Sequence, residues 1–151
     1  VVIPDKVLNI SSSTFYGCSA LVSVTIGNGV NMIYDEAFSK CSALTSIVIP
    51  DNVTGILDKA FYECSALISV TIGGGVTGIG ASAFGKCLAL NKFYCYATTP
   101  PGFSKDSYGF TLSPFSSSLK SYATLYVPAR SETAYINSKW ADYFKNIEVM
   151  D

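Results

Sequence analysis

Cysteine recurs every 23 residues, at Cys18, Cys41, Cys64 and Cys87. Such a series could serve disulfide exchange, metal binding or a thiolate nucleophile. Each of these needs a geometry that a fixed interval does not supply. In a stack of equivalent coils, equivalent residues lie ~4.8 Å apart on parallel vectors. The Cα separation would allow a disulfide between neighbours, but the Cβ separation exceeds the usual ~3.5–4.5 Å. Cys18 and Cys64, two coils apart, could not bridge. A metal needs ligands that converge, and a ladder points them in parallel. The chain has no histidine, which removes serine–histidine and cysteine–histidine pairs and histidine-dependent metal sites. The cysteines are therefore expected to be unpaired, buried thiols acting as small hydrophobes. Cys95 stands in the place of a core isoleucine and is expected to pack likewise. No catalytic, cofactor or metal residue is assigned.

Other candidates dissolve in the same way. Asp5, Asp35, Glu36, Asp51, Asp58 and Glu63 fall at turns or helix starts, where capping and solvation account for them. Gly73-Gly74-Gly75 and Gly78-x-Gly80 lack the Lys-Ser/Thr ending and the strand–loop–helix setting of a phosphate loop. Net charge is −1, with 10 basic and 11 acidic residues. They are mixed along the chain, so neither nucleic acid nor an anionic membrane surface is an expected partner. No apolar run approaches the ~18–20 residues of a membrane span. Val1-Val2-Ile3-Pro4 does not read as a signal peptide. It reads as the middle of a repeat, so the chain is expected to be a fragment of a longer precursor.

The elements that place the cysteines share their interval. Phe15, Phe38, Phe61 and Phe84 keep it, as do Leu21, Leu44, Leu67 and Leu90. A fixed period of this size means a solenoid, whose coils bury an apolar face only against one another. Hydrophobic residues make up 49% of the chain and charged residues 14%, a balance that suits coils of interior and turn. Val24-Thr25-Ile26 and its equivalents alternate as half-buried strands. Pro50-Asp51-Asn52, Gly27-Asn28-Gly29 and Gly73-Gly74-Gly75 mark a corner. Ala37, Phe38, Cys41 and Leu44 fall on one face of a short helical turn, with Ser12, Asp35 and Asp58 as its caps. Each coil then reads as strand, corner, short extended stretch, helical turn and return.

The period fails after Lys92. Phe93-Tyr94-Cys95-Tyr96 still matches the strand of a fifth coil. Residues 102–118 read as an irregular loop over the open end of the stack. Leu125–Pro128 reads as a strand, Ser131 to about Lys139 as a helix capped by Ser131, and Ile147–Met150 as a last strand. Trp140, Tyr143 and Phe144 are expected in the core of this cap.

The run Cys18-x-x-Leu21-x-x-Val24-x-Ile26, followed by Val30, Ile33 and Ala37-Phe38-x-x-Cys41, resembles the BspA-type, or treponemal-type, leucine-rich repeat. Ala-Phe-x-x-Cys-x-x-Leu recurs from Ala37, Ala60 and Ala83, while Thr14 takes the alanine place in the first copy. Thr99-Pro100-Pro101, Leu125–Ala129, Ala134-Tyr135, Trp140 and Asn146-Ile147 are similar to the C-terminal cap of such proteins in Bacteroides-like bacteria. The resemblance implies a leucine-rich repeat solenoid: an α/β right-handed coil with a parallel β-ladder and short helical turns. Residues 1–92 would form four repeats. Residues 93–151 would form the fifth strand and an irregular α+β cap in the same domain. It implies a non-enzymatic, cell-surface or secreted protein that adheres to host matrix or to other cells.

The outward side of the strands is where a ligand is expected. It carries Val22, Ser23 and Thr25, then Thr45, Ser46 and Val48, then Ile68, Ser69 and Thr71, then Asn91, Lys92 and Tyr94, with Tyr96 beyond. The narrower set for contact is Ser23, Thr25, Ser46, Val48, Ser69, Thr71, Lys92, Tyr94 and Tyr96, with tyrosine as energetic anchor. Ser, Thr and Val also simply suit an exposed strand. Two functions follow: a module binding a protein or glycan ligand, or a passive spacer that self-associates through the open coil at Val1–Ile3.

Overall fold

A computed structural model describes residues 1–150. Each coil contributes two short strands. They are β1 (Val2–Ile3) and β2 (Asn9–Ile10), β3 (Thr25–Ile26) and β4 (Met32–Ile33), β5 (Ser46–Ile49) and β6 (Gly55–Ile56), β7 (Ser69–Ile72) and β8 (Gly78–Ile79), and β9 (Lys92–Cys95) and β10 (Gly102–Phe103). After them come β11 (Thr124–Pro128), helix α1 (Glu132–Ile136) and β12 (Asn146–Met150). All pairings between these strands are parallel. One sheet runs β5-β7-β9-β11-β12, a second runs β2-β4-β6-β8-β10, and β1 pairs with β3 alone. The second ladder occupies what the sequence presents only as a short extended stretch.

The third side of each coil departs from expectation. Among the described residues before the first 3-10 turn at Ser117–Ser121 there is no helix. Backbone N–H groups there alternate between two acceptors. Phe38 and Lys40 donate to Ala60 and Tyr62 of the next coil, both at 2.7 Å. Ser39 and Cys41, between and after them, close local turns onto Glu36 and Phe38 at 3.1 and 3.2 Å. Helix is prevented because Glu36, Lys40, Lys59, Glu63, Ser82 and Lys86 adopt left-handed backbone, with φ between 54° and 61°. The steric cost is roughly 1–2 kcal/mol per residue, and the bonds to the next coil offset it. The carboxylates expected as helix caps also act between coils. Asp35 Oδ1 accepts from Asp58 N–H at 3.1 Å, and Asp58 Oδ1 from Ala81 N–H at 2.8 Å.

The opposite corner alternates over two coils. Pro4-Asp5 and Pro50-Asp51 are each followed, one coil on, by glycine at Gly27 and Gly73. Asp5 Oδ1 accepts from Asn28 N–H at 2.8 Å and Asp51 Oδ1 from Gly74 N–H at 2.9 Å. The corners approach so closely that a Cβ on Gly75 would sit 1.9 Å from the Asp51 carbonyl oxygen, which only glycine tolerates.

The core is a set of identical columns. Phe15, Phe38, Phe61 and Phe84 stack ring on ring at 5.0, 5.1 and 5.3 Å, within 8° of parallel. Phe115 adds a fifth ring at 6.0 Å. The stretch 102–118 is thus less irregular than its sequence: it holds β10, a hairpin closed at Lys105–Thr111, and Phe115 bridged to Phe84. Beyond it Tyr135, Trp140 and Phe144 are buried. Their polar atoms are matched, Tyr135 Oη donating to the Ala97 carbonyl at 2.7 Å and Trp140 Nε1 to that of Pro101 at 3.0 Å. The helix near Ser131 is shorter than expected, and Ser131 makes no side-chain cap bond. Ser138 instead accepts from Trp140 N–H and caps the 3-10 turn Lys139–Asp142. At the other end Val1, Val2 and Leu8 are exposed, while Phe15, Cys18 and Leu21 are only partly covered.

Removing a ring from the middle of the stack strands both neighbours. Phe61→Ala is expected to cost about 3–5 kcal/mol in urea unfolding. Phe15→Ala, at the half-covered end, should cost less than half as much. Equal losses would show that the stack does not carry the core.

Candidate functional site

The sheet β5-β7-β9-β11-β12 turns alternate residues inward and outward. Its register sets two outward rows: Ser46, Ser69, Lys92, Thr124 and Asn146, then Val48, Thr71, Tyr94, Tyr126 and Glu148. The in-register pairing brings Tyr94 and Tyr126 into contact. Their rings stack at 4.6 Å and 14°, close to the strand spacing, so they stand side by side across β9 and β11. Each ring is half-buried. Lys92 lies on one side of this pair along the strand.

Of the expected contact residues, Ser46, Val48, Ser69, Thr71, Lys92 and Tyr94 share this face. Ser23 and Thr25 do not extend the same sheet. Ser23 lies outside any strand and its carbonyl accepts from the Val1 ammonium at 3.1 Å. Thr25 pairs with Val2 in the separate two-stranded sheet. Tyr96 follows the end of β9, where its N–H donates to the Ile72 carbonyl at 3.0 Å. Its side chain is half exposed and lines two open hollows. One, of about 350 Å³, also touches Val48, Asp51 and Thr71. The other, of about 400 Å³, also touches Pro128, Arg130 and Met150. Thr124, Tyr126, Arg130, Asn146 and Glu148 are members of this surface that sequence reading misses. The alternation Leu125-Tyr126-Val127 marks a strand, but the interval from Tyr94 is not the repeat interval, so nothing in the sequence sets the two side by side.

All five cysteines are unpaired. The thiols of Cys41, Cys64 and Cys87 donate to the carbonyls of Phe15, Phe38 and Phe61 in the preceding coil, at 3.2, 3.2 and 3.1 Å. Burial, with the neighbouring thiols adding to it, pushes the Cys41 thiol up from its ordinary 9.0 to about 12. Cys64 is also raised, by its contact with Cys87 and then by burial. Burial raises Cys95 to about 11 despite its 3.0 Å contact with the Tyr135 hydroxyl, and raises Tyr135 as well. A thiol held neutral this firmly is packing material and not a nucleophile.

A family model described as BspA type leucine rich repeat region matches residues 1–100, in six copies. The crystal structure of the Treponema pallidum leucine rich repeat protein superposes with a TM-score of 0.70 at 20% identity, over 99% of this chain and 67% of that one. A leucine rich cell surface protein from Faecalibacterium prausnitzii A2-165 gives a TM-score of 0.43 at 21% identity, over 98% of this chain and 56% of that one. The chain thus spans about two thirds of the first and little more than half of the second. The treponemal likeness shows the solenoid fold. The comparison with curated proteins gives no match.

Alkaline titration checks the thiol column. Unfolded thiols lose their protons near 9, while folded Cys41 holds its proton to about 12. The native state therefore binds more protons in this window, and stability falls as pH rises through it. The expected result is a melting temperature that drops steadily from pH 9 to 12, with a shallower drop in Cys41→Ala. A flat profile, or one unchanged in the variant, would show that the thiols do not titrate on unfolding.

Proposed function

The chain belongs to the BspA-type leucine-rich repeat family, and from that premise we propose that it is a non-enzymatic binding module, displayed on a bacterial surface or secreted. Its task is adhesion, through a protein or glycan on host matrix or on neighbouring cells. The observation that carries this reading is the stacked pair Tyr94–Tyr126 on the outer sheet face. Tyrosines supply large, amphipathic contact area with few rotors to freeze, and anchor residues of interfaces are enriched in them. The surrounding Ser, Thr and Val present a low-charge surface with little to desolvate, and Lys92, Arg130 and Glu148 place charge at its margins, where it steers more than it binds.

A second reading rests on the first coil. Val1, Val2 and Leu8 are 58%, 74% and 60% exposed, beside a hollow that reaches down to Phe15. An apolar coil face of this kind favours stacking with further apolar surface, as in a spacer or assembly element.

One experiment separates the two. Biolayer interferometry of the 151-residue chain against immobilised matrix proteins and a glycan panel should find a ligand. Tyr94→Ala or Tyr126→Ala should weaken that ligand by about tenfold or more. Binding indifferent to both substitutions would move the site elsewhere. Absence of any ligand, with sedimentation showing concentration-dependent association that Val2→Lys abolishes, would favour the assembly role.

A further inference from the structure

The fifth coil breaks the count. Phe84 and Phe115 occupy consecutive places in the phenylalanine stack, yet they lie 31 residues apart instead of 23. The extra length is a hairpin closed by the antiparallel pair Lys105–Thr111. Asp106 turns its tip, Oδ1 accepting from the N–H groups of Tyr108 and Phe110, both at 2.9 Å. Closing the coil requires none of this. β10 pairs with β8 before the hairpin, and the Phe84–Phe115 bridge resumes the stack after it.

What the hairpin adds is a wall. An open hollow of about 420 Å³ lies between its base and the segment Ser138–Trp140, with Phe103 in its lining. The walls are tied in place. Trp140 Nε1 donates to the Pro101 carbonyl at 3.0 Å, and Ser138 Oγ donates to the Tyr135 carbonyl at 2.7 Å while accepting from Trp140 N–H at 3.2 Å. The charge of the hollow is one-sided. Lys105 and Lys139 both line it, and no carboxylate does. Among the described residues Lys139 makes one ion pair, with Asp142, whose Oδ2 lies 3.7 Å from its Nζ. Both members of that pair are well exposed, so it is worth little and leaves the ammonium free to turn.

We propose that this hollow binds a carboxylate-bearing sugar, such as a uronic acid residue of a glycan. Lys105 and Lys139 hold the carboxylate, the Thr111 hydroxyl meets a ring hydroxyl, and the Phe103 ring packs against the C–H face of the sugar. The volume falls in the usual range for small-molecule sites, ~300–1,000 Å³. A sugar acid suits it better than an acidic peptide. An extended peptide needs free strand edge, and β10 offers only two residues, with the Pro101 carbonyl beside them already bonded to the indole. The site is separate from the tyrosine pair on the outer sheet.

Titrating the isotopically labelled chain by NMR with D-glucuronate, D-glucose and a short aspartate-rich peptide tests this. Glucuronate is expected to shift the amide signals of residues 102–111 and 138–140. Its affinity should fall about tenfold in Lys105→Ala and in Lys139→Ala, and fall with added salt. Glucose should bind at least about tenfold more weakly. Lys6→Ala, an exposed lysine of the first coil outside the hollow, should leave glucuronate binding intact. Unchanged melting temperatures of the lysine variants would establish that they fold. Glucuronate leaving these signals unmoved, glucose binding equally well, or both lysine variants retaining full affinity would overturn the proposal. Tighter binding of the peptide would overturn it in favour of an acidic protein partner.

Discussion

Each coil is held by bonding in register to the next, and that single constraint organises the molecule. Strands on two sides and an alternating turn on the third pass hydrogen bonds along the stack, with one ladder interrupted between β3 and β5. Register between parallel ladders cannot slip by one residue without turning every inward side chain outward. A side chain must therefore fit against its own counterpart one coil on. Phenylalanine stacked on phenylalanine at 5.0–5.3 Å satisfies this condition, and so does cysteine, a small apolar group whose thiol reaches back to the previous coil's carbonyl. The repeating sequence is the record of that requirement, which is why cysteine recurs in the core as packing at Cys41, Cys64 and Cys87.

The corners obey the same rule in a subtler form. A Pro-Asp corner fills the space beside it and offers a carboxylate; the next coil answers with glycine and an N–H. The repeat at this corner is accordingly two coils long, although the core repeats every coil. The carboxylates of Asp5, Asp35, Asp51 and Asp58 each accept from an amide group of the following coil. Bonds of this kind to an ionised acceptor are among the stronger ones available to a surface.

Much of this was legible beforehand, and what was not has physical causes. Columns of Ile, Val, Phe and Leu announce the solenoid because burial selects them by side-chain type. The left-handed turns stayed hidden because Glu36, Lys40, Lys59 and Glu63 are ordinary helix formers; only Gly17 among the equivalent positions hints at positive φ. Tertiary hydrogen bonds override local preference there. Cross-coil capping by Asp35 looked like helix capping for the same reason. Tyr126 escaped because its neighbour relation to Tyr94 comes from β11 taking the next rung of the sheet after an insertion. Period alone does not reveal that β3, which carries Thr25, pairs with β1 and not with β5.

Function and periodicity are in opposition along this chain. Where a residue must match its counterpart one coil away, its identity is fixed by stacking and it cannot be specialised for a ligand. Freedom exists in two places: outward positions of the sheet, and segments that leave the count. The first tyrosine of the outer row arrives at Tyr94, in the fifth coil, and Tyr126 follows on the next rung. The hairpin at Lys105–Thr111 also belongs to the fifth coil. Aromatic and cationic side chains without counterparts in the earlier coils thus gather where the stacking constraint relaxes. The repeats in this arrangement supply a stiff base, since each ladder fixes the strand beneath Tyr94 to within a hydrogen bond. A rigid platform lowers the entropy lost when a partner docks, so the monotony of the first four coils serves the variety of the fifth.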